Sequence, residues 1–216
     1  MMDCFEQCLE VEQSLFLSLF SEAFNAKHSE FDSELIRDFS FYSSKFDRGH
    51  LSIVDARETK NLFLLHCTIM PFVNDPSPIF GFDIISGPKK VSGAFHDFSP
   101  IGQSDLNTIF KDKTDGLEWN KRRLLPDWAK PIFSENIVAI GAVGPEELSK
   151  FIAVGLDTLN CYLKYVGTVS DKSYIEQQNL YCTQQRKNEA TLRTLVALGL
   201  TEDQARTFVN ETLFPL

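Results

Sequence analysis

The chain has 216 residues, 43% of them hydrophobic and 24% charged, which suits one domain with a sizeable core and excludes disorder, collagen and a transmembrane bundle. Its 30 acidic residues against 21 basic ones give a net charge of -9, so it lacks the basic surface that a general nucleic-acid binder uses to release counterions. The 19 phenylalanines, beside 5 tyrosines and 2 tryptophans, suggest either a dense core or a pocket for a large flat ligand.

Residues 2–26 place Phe5, Leu9, Leu15, Phe16, Leu19, Phe20 and Phe24 near helical spacing, which predicts an amphipathic first helix. Asp32–Phe46 is mixed and Ser-rich, as expected of a loop leading to an edge strand. His50–Ala56 alternates and Leu62–Met70 is apolar, so the two form a predicted hairpin with its turn near Glu58–Lys60. After the Asn74–Pro78 loop, Ile79–Ile85 and Val91–Phe98 read as strands joined by Ser86–Lys90. Asp105–Phe110 starts a helix, Lys111–Trp128 is polar and exposed, and Ile132–Val143 reads as a further strand. Pro145, Glu146 and Glu147 make a helical first turn, continued by Leu148, Ile152, Leu156, Leu159 and Leu163. A polar segment, Ser173–Lys187, leads to Ala190–Leu198, and Thr201–Gln204 has the spacing of a capping box. Sequential antiparallel strands flanked by helices predict an α+β fold, a three-layer α/β/α sandwich with a central antiparallel β-sheet, in a single domain over residues 1–216.

Cys4, Cys8, Cys67, Cys161 and Cys182 form no C-x-x-C pair, and the chain opens with no secretory apolar region. The longest apolar runs, Leu62–Leu65 and Ile137–Val143, are far too short to span a bilayer. A soluble cytoplasmic protein with no membrane partner is expected. There is no metal-site spacing, no dinucleotide fingerprint, no P-loop and no nucleophile elbow, so redox chemistry here would need electrons from outside.

Two polar residues interrupt apolar strands: His66 after Leu62–Leu65, and Asp83 within Ile79–Ile85. A carboxylate in such a run is costly unless it is paired or contacts a ligand; the alternative is that either side chain faces solvent at a strand edge. His96 reads as a satisfied or solvent-facing histidine, and Cys67 as a small core residue.

The blocks Leu65–Pro71, Pro78–Pro88, Val91–Pro100, Leu125–Trp128, Ile132–Ser134, Tyr181–Asn188 and Glu211–Pro215, in this order, resemble the ferredoxin-dependent bilin reductases. Within that family the likeness is to the phycocyanobilin:ferredoxin oxidoreductase clade, most of all its phage-type phycoerythrobilin-forming members. It covers roughly residues 46–216 and leaves the first helix poorly matched. The resemblance implies a substrate, biliverdin IXα, held between the sheet and the C-terminal helices, with no bound metal or flavin. Reduced ferredoxin of the 2Fe-2S type would deliver electrons singly, the protein would supply protons through bilin radicals, and the enzyme would be a cytoplasmic monomer of a cyanobacterial or phage-infected cell.

By position, Asp83 resembles the family's central catalytic aspartate, His66 its partner histidine and His50 the second histidine of the site. Ser92 and Arg123 match positions that hold the bilin propionates; the lesser alternative for Arg123 is one more solvated charge of Lys121–Arg123. Asn188 and Glu189 match an Asn-Asp pair, which makes Glu189 a candidate for protonating the A-ring diene; Ala190 follows where the family usually has lysine. Phycocyanobilin-forming members carry a glutamate two residues after the second histidine, serving reduction of the D-ring vinyl group. Here that substrate-facing position is Ser52, or Val54 when counted back from His66, and only a slip to Asp55, on the other strand face, would restore an acid. The resemblance therefore implies a four-electron reduction of biliverdin to phycoerythrobilin by way of 15,16-dihydrobiliverdin. The ordinary phycocyanobilin reaction and a non-catalytic bilin carrier are the alternatives. The basic clusters Lys89-Lys90, Lys121–Arg123 and Arg186-Lys187 would offer acidic ferredoxin a local docking field that the net charge hides, and Phe80, Phe82, Phe95 and Phe98 could pack on a bilin where they face inward.

Overall fold

The computed structural model describes residues 2–216. Seven strands, β1 (Ala23–His28), β2 (Ile36–Ser43), β3 (Arg48–Ala56), β4 (Leu62–Met70), β5 (Ile79–Ser86), β6 (Val91–Ser99) and β7 (Val138–Ile140), form one sheet in which each pairs antiparallel with the next in sequence. The helices are α1 (Cys4–Glu22), the single turn α2 (Arg57–Lys60), α3 (Asp105–Thr114), α4 (Pro145–Tyr165), α5 (Ile175–Gln185), α6 (Glu189–Ala197) and α7 (Glu202–Thr207), with a π-helical turn at Phe208–Leu213. One face of the sheet packs on α1, α3 and α4, and the other on α5 to α7 and the C-terminal turn. This is the predicted α+β, three-layer α/β/α sandwich. Among the described residues, no helix is long and apolar enough to cross a membrane.

The element ends follow local chemistry. Helix α1 starts with a capping box, in which the Asp3 carboxylate accepts from Glu6 N and Glu6 accepts from Asp3 N. The expected helix over residues 2–26 stops at Glu22, Ala23–His28 turns out to be the outer strand, and the segment Asp32–Phe46, expected as a loop, contains the interior strand β2. Five of the six β1 residues are exposed, which is why no burial pattern marks the strand: backbone pairing to β2 holds it. The β3–β4 hairpin turns through α2 and closes at Asn61, whose left-handed backbone (φ 49) suits asparagine. The strand expected over Ile132–Val143 is reduced to Val138–Ile140, and the polar segment Ser173–Lys187 is largely helix α5, which buries Gln178 and Gln185 by hydrogen-bonding their amides. The capping box at Thr201 and Gln204 forms as expected.

Residues paired across adjacent strands point to the same face. The face of the central strands packed on α1, α3 and α4 carries Leu51, Ile53, Leu65, Cys67, Phe80, Phe82, Ala94 and Phe98, all buried. Phe80, Phe82 and Phe98 therefore belong to the core beneath α3 and α4, and of the four phenylalanines named above only Phe95 shares a face with Asp83. Helix α4 comes close enough to the sheet that a Cβ on Gly155 would sit 2.1 Å from Phe82 Cε2.

Candidate active site

The strand register brings the polar residues together. Asp38, Ser52, His66, Asp83 and Phe95 are successive cross-strand partners on β2 to β6, so they form one row on the face turned to the C-terminal helices. The neighbouring row on the same face holds Ser40, His50, Thr68, Gly81 and Asp97. This face is only partly covered. Leu62, Leu64, His66, Asp83, Ile85 and Phe95 all retain partial exposure, while the opposite face of the same strands is dry.

His66 and Asp83 form the central pair: His66 Nδ1 lies 2.5 Å from Asp83 Oδ1, and His66 Nε2 lies 2.8 Å from the Thr68 hydroxyl. Their side chains are 18% and 33% exposed, so a ligand over this strip reaches both. Neither is an idle residue at a strand edge, because β4 and β5 are interior strands.

Beside them is a second carboxylate–imidazole pair. His50 Nε2 lies 3.0 Å from Asp38 Oδ1 and 3.2 Å from Oδ2, with both side chains fully buried, and the His50 ring centroid is 5.8 Å from that of His66. Burial alone would raise the Asp38 carboxyl, but the hydrogen bond from His50 and the electrostatic effect of its ring, helped by the nearby Ser52 and Ser29, outweigh it and hold the group below its ordinary value. Burial also holds His50 below its ordinary value, in spite of the Asp38 charge. Asp38 was not singled out in the sequence because its segment reads as a loop; the alternation of Ile36, Asp38 and Ser40 against Arg37, Phe39 and Phe41 was the available signal.

Ser52 is buried in the row between Asp38 and His66, and Val54 lies two residues further along β3 on the same face. Asp55 points to the other face and is spent on Arg57, whose Nε donates at 2.7 Å. The register thus puts Ser52 itself, rather than an acid, opposite His66.

Arg123 lies across β6. Its Nη1 donates to the Ser92 carbonyl at 3.0 Å, its guanidinium carbon is 5.5 Å from the Phe95 ring centre, and a Cβ on Gly93 would come within 2.6 Å of Nη1. The absence of side chains at Gly93 and Gly141 makes room for the arginine. Ser92 is exposed and its hydroxyl donates to the Ile85 carbonyl at 3.0 Å. Arg123 and Ser92 are therefore brought together at the rim beside Phe95, with free guanidinium donors left for an anion.

Neither Asn188 nor Glu189 hydrogen-bonds to either pair among the described residues. Asn188 caps α6, its Oδ1 accepting from Ala190 N, and Glu189 is exposed in the first turn, where its charge acts on Arg206.

The roof comes from the C-terminus. Phe214 packs edge-on over His66 at 5.6 Å, and Tyr181 packs on Phe214 at 6.3 Å. Two arginines hold this strap: Arg48 donates to the Thr212 and Leu213 carbonyls, and Arg186 to those of Asn210 and Phe214. Burial, with the nearby Asp83 charge adding to it, pushes the Tyr181 phenol well above its ordinary value, so it stays protonated. Tyr181 and Phe214 sit in blocks that carried the resemblance, but no pattern in the sequence marked them as roof residues.

The sequence profile of the family described as ferredoxin-dependent bilin reductase matches residues 4–215, the first helix included. The chain belongs to this family. Curated bilin reductases similar to it include the phycocyanobilin:ferredoxin oxidoreductase of Trichodesmium erythraeum, 32% identical over 74% of this chain and 69% of that protein, and that of Synechococcus sp. strain CC9902, 34% identical over 79% and 73%. A solved structure of a protein called PcyX is 26% identical, with a TM-score of 0.70 over 97% of this chain and 98% of the other. Phytochromobilin synthase from tomato, solved in complex with biliverdin, shares the fold at a TM-score of 0.70 and 15% identity, over 94% and 82% of the two chains. The match through residue 4 extends the similarity beyond the blocks read in the sequence: α1 belongs to the reductase fold, and supplies Cys4, Cys8, Val11, Leu15 and Leu19 to its core.

Proposed function

We propose that this bilin reductase carries out the four-electron, ferredoxin-dependent reduction of biliverdin IXα to phycoerythrobilin by way of 15,16-dihydrobiliverdin. The observation that carries the reading is the combination of an intact His66–Asp83 pair with Ser52, a residue unable to release a carboxylic proton, as the direct cross-strand partner of His66. Asp83 has one oxygen engaged by His66 and a partly exposed side chain, which suits it to protonate a bilin lying on the open strip as electrons arrive singly. Arg123, anchored by its Nη1 on the Ser92 carbonyl, offers charge-assisted hydrogen bonds to a propionate from its remaining donors, and Phe95 offers a ring face to a pyrrole. Exposed Lys89, Lys90, Lys121 and Arg122 flank the Arg123 end of β6 and suit an acidic electron donor; turnover that falls as salt rises is the expected sign of docking there.

Chromatography of the products of an anaerobic assay with reduced ferredoxin tests this. Phycoerythrobilin is expected. Phycocyanobilin as main product would sink the proposal, and a halt at 15,16-dihydrobiliverdin would remove its second step. The phycocyanobilin reaction is the second reading, favoured by the names of the curated relatives. A bilin carrier without activity would bind biliverdin and leave it unreduced in the same assay.

A further inference from the structure

We propose that Asp38 is a positioning residue for the reduction: its buried carboxylate holds His50 as a neutral imidazole protonated on Nε2, which leaves Nδ1 as a hydrogen-bond acceptor for the tetrapyrrole. The acceptor role rests on the biliverdin reading above.

Asp38 and His50 come from two interior strands and are fully buried, with His50 Nε2 3.0 Å from one carboxylate oxygen and 3.2 Å from the other. A buried carboxylate needs a donor, and in this pair the only hydrogen it can draw from the ring is the one on Nε2. A neutral ring has one N–H, so a hydrogen on Nε2 makes Nδ1 a bare lone pair. His50 Nδ1 is buried and has no hydrogen-bond partner among the described residues. An orphaned buried acceptor is costly and calls for a partner supplied by something else.

Position decides what that partner is. Both nitrogens of His66 are committed, Nδ1 to Asp83 and Nε2 to Thr68, so His50 Nδ1 is the uncommitted imidazole nitrogen of the two rings. The His50 ring lies 5.8 Å from His66, on the row adjoining the open strip. A bilin laid over His66 and Asp83 carries pyrrole N–H groups, which are donors. The other charged or titratable groups acting on His50 are Arg48 on its own strand and His66 on β4; both oppose a proton on the ring and so reinforce its neutral form. The carboxylate at Asp38 orients the ring and fixes its tautomer, a role separate from proton donation.

The test uses the full-length protein with 15N-labelled histidines. The ring nitrogen signals of His50 should report hydrogen on Nε2 between pH 6 and 8, and biliverdin should move the Nδ1 signal. A His50 that carries its hydrogen on Nδ1, or is an imidazolium, would overturn the proposal without any variant. Asp38→Asn should weaken biliverdin binding by about tenfold, because a hydrogen on Nδ1 faces the pyrrole N–H, and lower kcat by about tenfold or more, with the Nδ1–H form of His50 appearing. An Asp38→Asn protein with wild-type kcat and an unchanged His50 tautomer would also overturn it. If wild-type protein shows no change in the visible spectrum of biliverdin, the substrate reading fails and takes the acceptor role with it, while the tautomer signal still judges what Asp38 does to His50.

Discussion

His96 and Asp97, adjacent on β6 and pointing to opposite faces, should pull the pH dependence of stability in opposite directions. His96 is buried among Phe80, Phe82 and Phe110, with Nδ1 2.7 Å from the Gly81 carbonyl and Nε2 2.6 Å from the Thr158 hydroxyl; burial lowers it from 6.5 to about 4. Asp97 accepts from Ser134 N at 2.9 Å and from the Ser134 and Ser99 hydroxyls, yet burial outweighs these bonds and raises it from 3.8 to about 6. A group depressed on folding contributes stability above its unfolded value and loses it as the pH falls, so His96 weakens the fold from pH 6.5 down to 4. A carboxyl raised on folding does the reverse, so Asp97 weakens the fold as the pH rises from 3.8 to 6. At about 1.4 kcal/mol per pH unit, each effect amounts to about 3 kcal/mol, and in the wild type they largely cancel between pH 4 and 6. Urea unfolding followed by far-ultraviolet circular dichroism across this range should therefore separate two variants. His96→Gln leaves Asp97 uncompensated, and its stability should fall by about 3 kcal/mol from pH 4 to 6 relative to wild type; Asp97→Asn should show the opposite slope. Parallel curves for all three proteins would refute the reasoning, whatever the absolute cost of each substitution.

Asp83→Asn keeps the shape of the side chain and an oxygen for His66, so biliverdin should still bind, as seen in its visible spectrum, while turnover with reduced ferredoxin falls by about 10²- to 10⁴-fold for want of the proton; wild-type turnover would remove Asp83 from that role. Arg123→Met should raise KM for biliverdin by about five- to tenfold and leave kcat alone, because the exposed guanidinium holds a group remote from the reacting carbons; a fall in kcat at constant KM would argue against propionate binding. Gly155→Ala should cost about 2 kcal/mol and lower Tm by about 4–8 °C, since the new Cβ meets Phe82, a fully buried ring with no room to retreat; thermal unfolding checks this, and an unchanged Tm would mean that α4 sits further from the sheet.

The layers were legible where one face of an element is buried and the other is not. Strands β3 to β6, helix α4 and the capping box of α7 all announce themselves by alternation, by a proline in the first turn or by a capping pair. Strand β1 does not, because an edge strand gains its stability from main-chain pairing, which leaves no trace in side-chain type. Helix α5 does not either: it turns Gln178 and Gln185 inward along with Tyr181, and buried amides satisfied by the Pro71 carbonyl and the Tyr181 hydroxyl look, in a sequence, like a solvated segment.

For the site, single residues could be read but their partnerships could not. Asp83 and His66 stand out as polar interruptions in apolar runs, whereas Asp38, the more deeply buried carboxylate, lies in a stretch of mixed polarity that hides it. What joins Asp38 to His50, and Ser52 to His66, is the register of β2 on β3 and of β3 on β4, and a register is a property of two strands together. A slip of one residue in β3 would exchange Ser52 for Leu51 or Ile53 on the open face and carry His50 to the face packed on α1, α3 and α4. The same turn that sets this register, α2 closing on left-handed Asn61, therefore decides which chemistry the reductase face presents, although it contributes no atom to that face.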